Sequence, residues 1–240
     1  MATPLSVHQL SVDQLSVHQL SVHQPTTDVR GGVVVVQEAF GVNEHIEDVC
    51  ARLAEQGWLA VAPHLFHRDG DPVFGYDEIS AAMPQMRKLS ADGILDDVDV
   101  AIAHLAEHGV AAKATGIVGF CMGGTVALHV GASRDIGAAV TFYGGGVTSG
   151  RFGFPAMCTA APSLRVPWLG LFGDRDTSIK VDDVEQLRIA AASSATVTEV
   201  VRYSDAGHGF NCDRRDSYHE ASAIDAWSRT LDWFADNLSQ

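Results

Sequence analysis

From residue 31 onward, short apolar runs of strand length alternate with stretches whose apolar residues recur at helical spacing. No other feature limits the fold as much. Gly31–Val36 ends in four consecutive valines. A β-branched run with no polar face reads as a strand covered on both sides, the kind found in parallel sheets. Asn43 then stands where a side-chain oxygen can cap a helix whose stripe is Ile46, Val49, Cys50 and Leu53. Gly57 ends that helix, and residues 58–62 form the next strand, stopped by Pro63. After a loop, residues 92–108 read as a helix. Residues 115–120 read as a strand that passes at once into a helix over 122–133. Apolar strands follow at 136–143 and 166–172, a helix at 181–193 and a strand at 197–203. Ser217 with Glu220 makes a capping box for a last helix carrying Ile224, Trp227, Leu231 and Phe234 on one side. The order predicts an α/β domain: a mostly parallel sheet with helices on both faces. No linker interrupts it, so residues 26–240 read as one domain.

Residues 1–25 are different. Positions 5–24 hold four copies of Leu-Ser-Val-His-Gln, with Asp13 replacing histidine in the second. A period of five builds no continuous apolar face on a helix or on a strand, so the segment reads as low-complexity and without stable structure. Three spaced histidines, His8, His18 and His23, are a weak basis for a metal tract. The chain of 240 residues is long enough for a full core without disulfide or metal. Its net charge of -14 argues against nucleic acid and anionic membranes as partners. Four cysteines with no C-x-x-C spacing, no signal-peptide pattern and no spanning apolar run suggest a cytoplasmic protein with free thiols. The oligomeric state is left open, a monomer being the simplest case.

The chemistry concentrates at Gly119-Phe120-Cys121-Met122-Gly123-Gly124, a nucleophile elbow, G-x-S-x-G, with cysteine in the serine position. A sharp strand-to-helix turn is crowded, and the small residues Gly119 and Gly123 relieve it. The thiol stands at a helix N-terminus, where free N–H groups favour thiolate. A buried structural cysteine beside a glycine turn is the alternative. Partners follow in the order nucleophile, acid, histidine. Asp176 lies in Gly173-Asp174-Arg175-Asp176 and His208 in Ala206-Gly207-His208-Gly209-Phe210, each just after a strand. Asp174 is the rival acid; a role in capping the turn after Gly173 favours Asp176. His104-Leu105-Ala106-Glu107-His108 matches the H-x-x-E-H zinc pattern, but it stands where an ordinary covering helix is needed. The Gly144-Gly145-Gly146 run lacks the lysine and spacing of a phosphate loop and reads as a pocket edge.

Taken together, residues 31–238 resemble the dienelactone hydrolases, or carboxymethylenebutenolidases. The marks are Gln37-Glu38-Ala39-Phe40-Gly41-Val42-Asn43, the cysteine elbow, the Gly-x-x-Asp turn and the Ala-Gly-His-x-Phe loop. The resemblance implies an α/β-hydrolase fold and a triad of Cys121, Asp176 and His208. It also implies that Glu38 holds the resting thiol proton, and that the N–H groups of Ala39 and Met122 form the oxyanion hole. Phe40, Arg68 and Tyr143 would contact the substrate. The implied activity is cleavage of a small-molecule ester or enol lactone through a cysteine thioester, with no cofactor and no metal. Acyl transfer to another acceptor, general thiol carboxylesterase activity and a non-catalytic binding role are the alternatives. Two departures stand out. Of the family's substrate arginines only Arg68 has a clean counterpart, with Arg214 and Arg215 near another. The repeat also occupies the place of an early pair of strands.

Overall fold

The computed structural model describes residues 19–239. Its strands are β1 (Leu20–His23), β2 (Gly31–Val36), β3 (Trp58–Pro63), β4 (Thr115–Phe120), β5 (Ala138–Phe142), β6 (Trp168–Gly173) and β7 (Thr198–Tyr203). The helices are α1 (Glu44–Glu55), α2 (Ile79–Met86), α3 (Ala91–Glu107), α4 (Met122–Ser133), α5 (Met157–Ala160), α6 (Val181–Ala192) and α7 (Glu220–Asn237). The strands form one sheet in the order β1-β3-β2-β4-β5-β6-β7. All neighbours run parallel except β1, which pairs antiparallel with β3. The helices surround this sheet, the α/β-hydrolase architecture that the alternation predicts.

Burial follows composition. Every residue of β2 is buried, and Val33 to Val36 have no exposed surface. Asn43 caps α1 as its position predicts, its side chain accepting from Ile46 N at 3.2 Å. The buried stripe of α1 includes Ile46, Val49, Cys50 and Leu53. Directly after the elbow, α4 is buried along nearly its whole length and packs on β4 and β5.

The order of the strands matters for function. From β2 the chain moves outward to β3; it then returns to lay β4 on the other side of β2, with Val36 opposite Gly119. The chain thus reverses direction across the sheet between β2 and β4. Open parallel sheets leave a crevice at the carboxyl ends of such strands. Glu38 leaves one of them and Cys121 the other.

Four expectations need correction. The fourth copy of the repeat, expected to lack structure, holds strand β1; residues 1–18, and with them His8 and His18, fall outside the described residues. The face-flipping argument applies to joined copies and not to one copy of strand length. Within it Leu20 and Val22 point the same way and are 1% and 7% exposed. Polar groups hold the other face: Ser21 Oγ donates to Glu47 at 2.5 Å, His23 Nε2 meets Glu47 at 2.6 Å, and His64 stands 2.9 Å from Ser21 Oγ. Ser217 does not cap α7; His219 does, accepting from Ser222 N at 3.4 Å. The buried stripe of α7 runs through Ala223, Ala226, Thr230 and Phe234, while Ile224 is 63% exposed. The segment after β3, read as loop throughout, contains α2, whose Pro84 hides a helix from propensity reasoning.

The edge strand gives a stability prediction. A chain starting at Pro25 should melt about 6 °C or more below one starting at Gln19. Burying a side chain such as Leu20 or Val22 contributes about 1.5–3 kcal/mol, and each kcal/mol moves a domain of this size by about 2–4 °C. Thermal melts of the two truncations check this. Equal melting temperatures would mean that β1 adds nothing to the sheet.

Candidate active site

Cys121 sits between β4 and α4 with φ 54° and ψ −111°, a left-handed backbone that a non-glycine residue adopts only under constraint. The constraint is close packing on three sides. A Cβ on Gly119 would come within 1.9 Å of Gly123 O, and one on Gly123 within 2.2 Å of Val36 O. Both positions therefore require glycine. Gly123 N donates to Gln37 O at 3.1 Å, and Cys121 N donates to Phe142 O at 3.0 Å. These bonds tie the elbow to the loop after β2 on one side and to β5 on the other. Met122 is the first residue of α4, so its N–H has no acceptor within the helix. The loop holding Ala39 is fastened directly beside it through Gln37. Gln37 is fully buried and its Oε1 also accepts from Leu65 N at 3.1 Å, which fixes that loop from below.

His208 arrives from the loop after β7, near enough to Cys121 for the thiol to be the largest influence raising its pKa. On its other side Nδ1 lies 2.6 Å from Asp176 Oδ2. Asp176, from the turn after β6, has a side chain only 1% exposed. Its Oδ1 accepts from Ser178 N at 2.8 Å, Ser178 Oγ at 2.7 Å and Ile179 N at 3.1 Å. Burial alone would raise the Asp176 carboxyl, but His208 and Ser178 overcome it and hold the group below the usual carboxylate range. An ionised Asp176 requires the proton on His208 Nδ1, leaving Nε2 for the sulfur side. For His208, burial pulls downward, yet Cys121 and Asp176 outweigh it and push the imidazole up to about 10. The rival acid, Asp174, is engaged elsewhere: both its oxygens accept from Arg202, at 2.7 Å each.

Glu38 is fully buried, yet its hydrogen bond runs to Arg215 NH1 at 3.2 Å. Its second oxygen, Oε2, has no partner among the described residues. Burial raises its pKa, opposed by the charges of Arg215 and His208 and by the Tyr76 hydroxyl. The expectation that Glu38 holds the thiol proton thus meets a carboxylate paired with an arginine; no Glu38–Cys121 hydrogen bond is formed among the described residues. The Arg215 guanidinium also lies 5.7 Å from the ring centre of Phe40 and 5.4 Å from that of Tyr76, and those rings meet edge-on at 4.8 Å. A cavity of about 560 Å³ reaches Arg215 and Tyr76 from outside. Tyr143 is buried with φ 38°, its ring centre 5.1 Å from that of His208, and its hydroxyl has no partner among the described residues.

Arg68 stands apart from this group. It makes a two-pronged pair with Asp97 of α3, at 2.7 and 2.9 Å, and also donates to Gly93 O. Buried Asp97 needs the charge, so Arg68 is turned to the helix and the sequence expectation for it is not met in this geometry. Arg215, not Arg68, stands beside Glu38, Phe40 and Tyr76. The doubled Arg214-Arg215 was the only signal for this, and spacing alone could not tell which arginine turns inward. Tyr76 was missed because it lies in the segment read as loop. In the H-x-x-E-H stretch the rings of His104 and His108 lie tilted to one another with centres 4.2 Å apart, but His104 is buried while Glu107 and His108 face outward.

A cysteine elbow at the strand reversal, with histidine and a buried acid from the two following loops, defines an α/β-hydrolase-fold enzyme. The family model described as the dienelactone hydrolase family matches residues 20–238, and the chain belongs to that family. A "Putative carboxymethylenebutenolidase" from Salmonella typhimurium is 42% identical over 205 residues, covering 85% of this chain and 76% of its own. The "Carboxymethylenebutenolidase" of Rhodococcus opacus is 31% identical over 209 residues, covering 84% and 79%. The crystal structure of a "Putative Dienelactone Hydrolase" from Klebsiella pneumoniae superimposes with a TM-score of 0.85 at 36% identity, covering 98% of each chain. The protein is accordingly a carboxylic ester hydrolase of the dienelactone hydrolase type.

Two substitutions separate the acids. Asp176→Asn should lower kcat/KM by about three to four orders of magnitude, because His208 loses its orienting acceptor. Asp174→Asn breaks only a partly exposed pair and should change kcat/KM by less than roughly threefold. Comparable losses in both would overturn the assignment of the acid. The histidine gives a pH signature. Its pKa lies above the ordinary value of about 6.5, so the stability it contributes is complete below that pH and is lost as pH rises through about 10. Replacing Cys121 by alanine removes the strongest influence raising it. His208 should then titrate at lower pH, which NMR of the imidazole resonances would detect.

Proposed function

We propose that the chain hydrolyses an enol lactone or related small ester through a thioester on Cys121. What supports this most is the convergence of Cys121, His208 and Asp176 from three loops at the carboxyl ends of the strands, with His208 Nδ1 2.6 Å from Asp176 Oδ2 and its pKa raised by Cys121. A proton-holding imidazole beside the sulfur suits a thiolate–imidazolium pair, the activated form of a cysteine nucleophile. In the first half-reaction Cys121 Sγ bonds to the carbonyl carbon. The negative oxygen is held by the N–H groups of Ala39 and Met122. The carbon–oxygen bond of the ring then breaks, and the departing oxygen takes its proton from His208. In the second half-reaction His208, oriented by Asp176, removes a proton from water as that water attacks the thioester. The carbon–sulfur bond breaks, and the carboxylic acid leaves with the thiolate restored.

Glu38 and Arg215 fit an anionic substrate. Arg215 has a side chain only 20% exposed and is matched in charge by Glu38. A substrate carboxylate competing for that guanidinium would release Glu38 to turn toward the sulfur beside Phe40; Tyr143, expected as a substrate contact, has no exposed surface and packs behind His208. Glu38 then governs the thiol only when substrate arrives, which retains its role as a gate and makes Arg215 its latch. Arg68, committed to Asp97, is outside this scheme.

Cys121→Ala should retain less than about a hundredth of the wild-type rate, since loss of a covalent nucleophile removes several orders of magnitude. The same variant should lose the acyl-enzyme mass adduct seen when wild type is quenched with a slow aryl ester. Residual turnover above that level would exclude Cys121 as nucleophile. Glu38→Gln should lower kcat/KM for a carboxylate-bearing lactone by roughly tenfold or more and leave alkylation of resting Cys121 by iodoacetamide nearly unchanged, since the gate acts only with substrate bound. Undiminished lactone turnover would sink the gate and leave the nucleophile untouched.

A further inference from the structure

Beside the catalytic constellation, three metal-ligating side chains from two separate elements converge. A ring nitrogen of His45, the sulfur of Cys212 and a carboxylate oxygen of Asp213 all lie within 4.8 Å of one another. His45 belongs to the first turn of α1 and is 1% exposed, its ring held edge-on to Phe120 at 5.9 Å. Its Nε2 is buried and makes no hydrogen bond among the described residues, a costly state for a polar atom that is given no ligand. Cys212 is a free, buried thiol, and Asp213 is exposed at the rim. His45 and Asp213 line a cavity of about 590 Å³, so an ion can reach them from outside. Buried Asn211 lines the same cavity, and its Nδ2 also lacks a partner among the described residues.

We propose that His45, Cys212 and Asp213 form a binding site for a divalent cation of the zinc class, with its fourth position open to water. A mixed sulfur, nitrogen and oxygen set selects such an ion. Calcium and magnesium take oxygen ligands, and a thiolate disfavours both. Bonds of about 2.0–2.3 Å to the ion bring tetrahedral ligands to roughly 3.3–3.7 Å apart. The atoms must therefore draw in by at most about 1–1.5 Å; the exposed Asp213 side chain can close its own distances, and the remaining one needs a small rotation of His45 or Cys212. Cys212 coordinates as thiolate: its S–H proton passes to the buffer as the sulfur–metal bond forms, so binding strengthens as pH rises. Three guanidiniums lie near His45, and each already faces a carboxylate: Arg52 with Asp48, Arg214 with Glu44 and Arg215 with Glu38. The site is thus not closed to a cation by unbalanced positive charge. Cys212 and Asp213 lie between His208 and Arg215 in the chain, so a bound ion would tie the catalytic loop to α1.

Titration of the full chain with Co²⁺ and then Zn²⁺ tests this, with Cys121→Ala run in parallel to remove the other thiol that touches a histidine. Both proteins should bind one Co²⁺ with a sulfur-to-cobalt charge-transfer band in the near ultraviolet. Zn²⁺ should abolish the band, and either ion should raise Tm. Cys212→Ser should lose the band. Asp213→Asn should weaken binding by roughly tenfold or more, the range expected when even an outer partner of a metal site is removed. Asp213 is exposed, so its variant keeps the fold, verified by circular dichroism, and decides the matter if the Cys212 variant is unstable. Loss of the band in Cys121→Ala would place the metal on the catalytic pair and overturn the proposal. So would undiminished affinity in Asp213→Asn, or an absence of binding at millimolar Co²⁺.

Discussion

The site depends first on a contact with no room in it. Gly123 packs against the backbone leaving β2, where Val36 O would stand 2.2 Å from any added Cβ, and its N–H bonds to Gln37 O. That approach forces Cys121 into a left-handed backbone and lifts its sulfur out of the turn. It also sets the distance between two loops that are far apart in sequence, one carrying Glu38 and Ala39, the other carrying the thiol and the Met122 N–H. The strain at such a residue, about 1–3 kcal/mol, persists because fully buried strands on either side leave the turn no alternative. The geometry of the elbow here results from core packing rather than from the loops' own preferences.

The second layer is electrostatic, and it is arranged by burial. Asp176 is charged in the interior only because three donors and His208 surround it. Glu38 is buried as deeply but has one arginine and an unpartnered oxygen, so its pKa moves the other way. Two carboxylates flanking one histidine are therefore pushed apart in acidity by their hydrogen bonds. Such separation is how neighbouring groups come to hold different protonation states at one pH.

Much of this was legible in the residues. Elements whose signal is local were read to within two residues: the valines of β2, the Asn43 cap, the junction of β4 and α4. The elbow and the order of cysteine, aspartate and histidine were legible because the chemistry demands them at fixed places in the chain. What escaped depended on partners distant in sequence. Strand β1 exists because β3 offers an edge and Glu47 offers hydrogen bonds to Ser21 and His23, none of which a five-residue period reveals. The α7 stripe was misjudged because Ile224, apolar by type, has no neighbour to cover it. Arg68 looked like a substrate ligand until Asp97, 29 positions on, claimed it.

The same competition for partners explains why arginine is a difficult residue to assign from sequence. A guanidinium goes to whichever carboxylate has lost most of its water, because an unpaired buried charge costs several kcal/mol while an exposed one costs almost nothing. Asp97 is 2% exposed and Glu38 is fully buried, so these two carboxylates draw Arg68 and Arg215 out of the set. Arg214, one residue away, meets the exposed Glu44 and stays at the surface. The difference between Arg214 and Arg215 lies wholly in the acids they reach. In a chain of net charge -14, that local pairing also has to act against the field of the whole molecule. A cation beside low-dielectric walls, as Arg215 is next to the rings of Phe40 and Tyr76, is screened less than an exposed one such as Arg214.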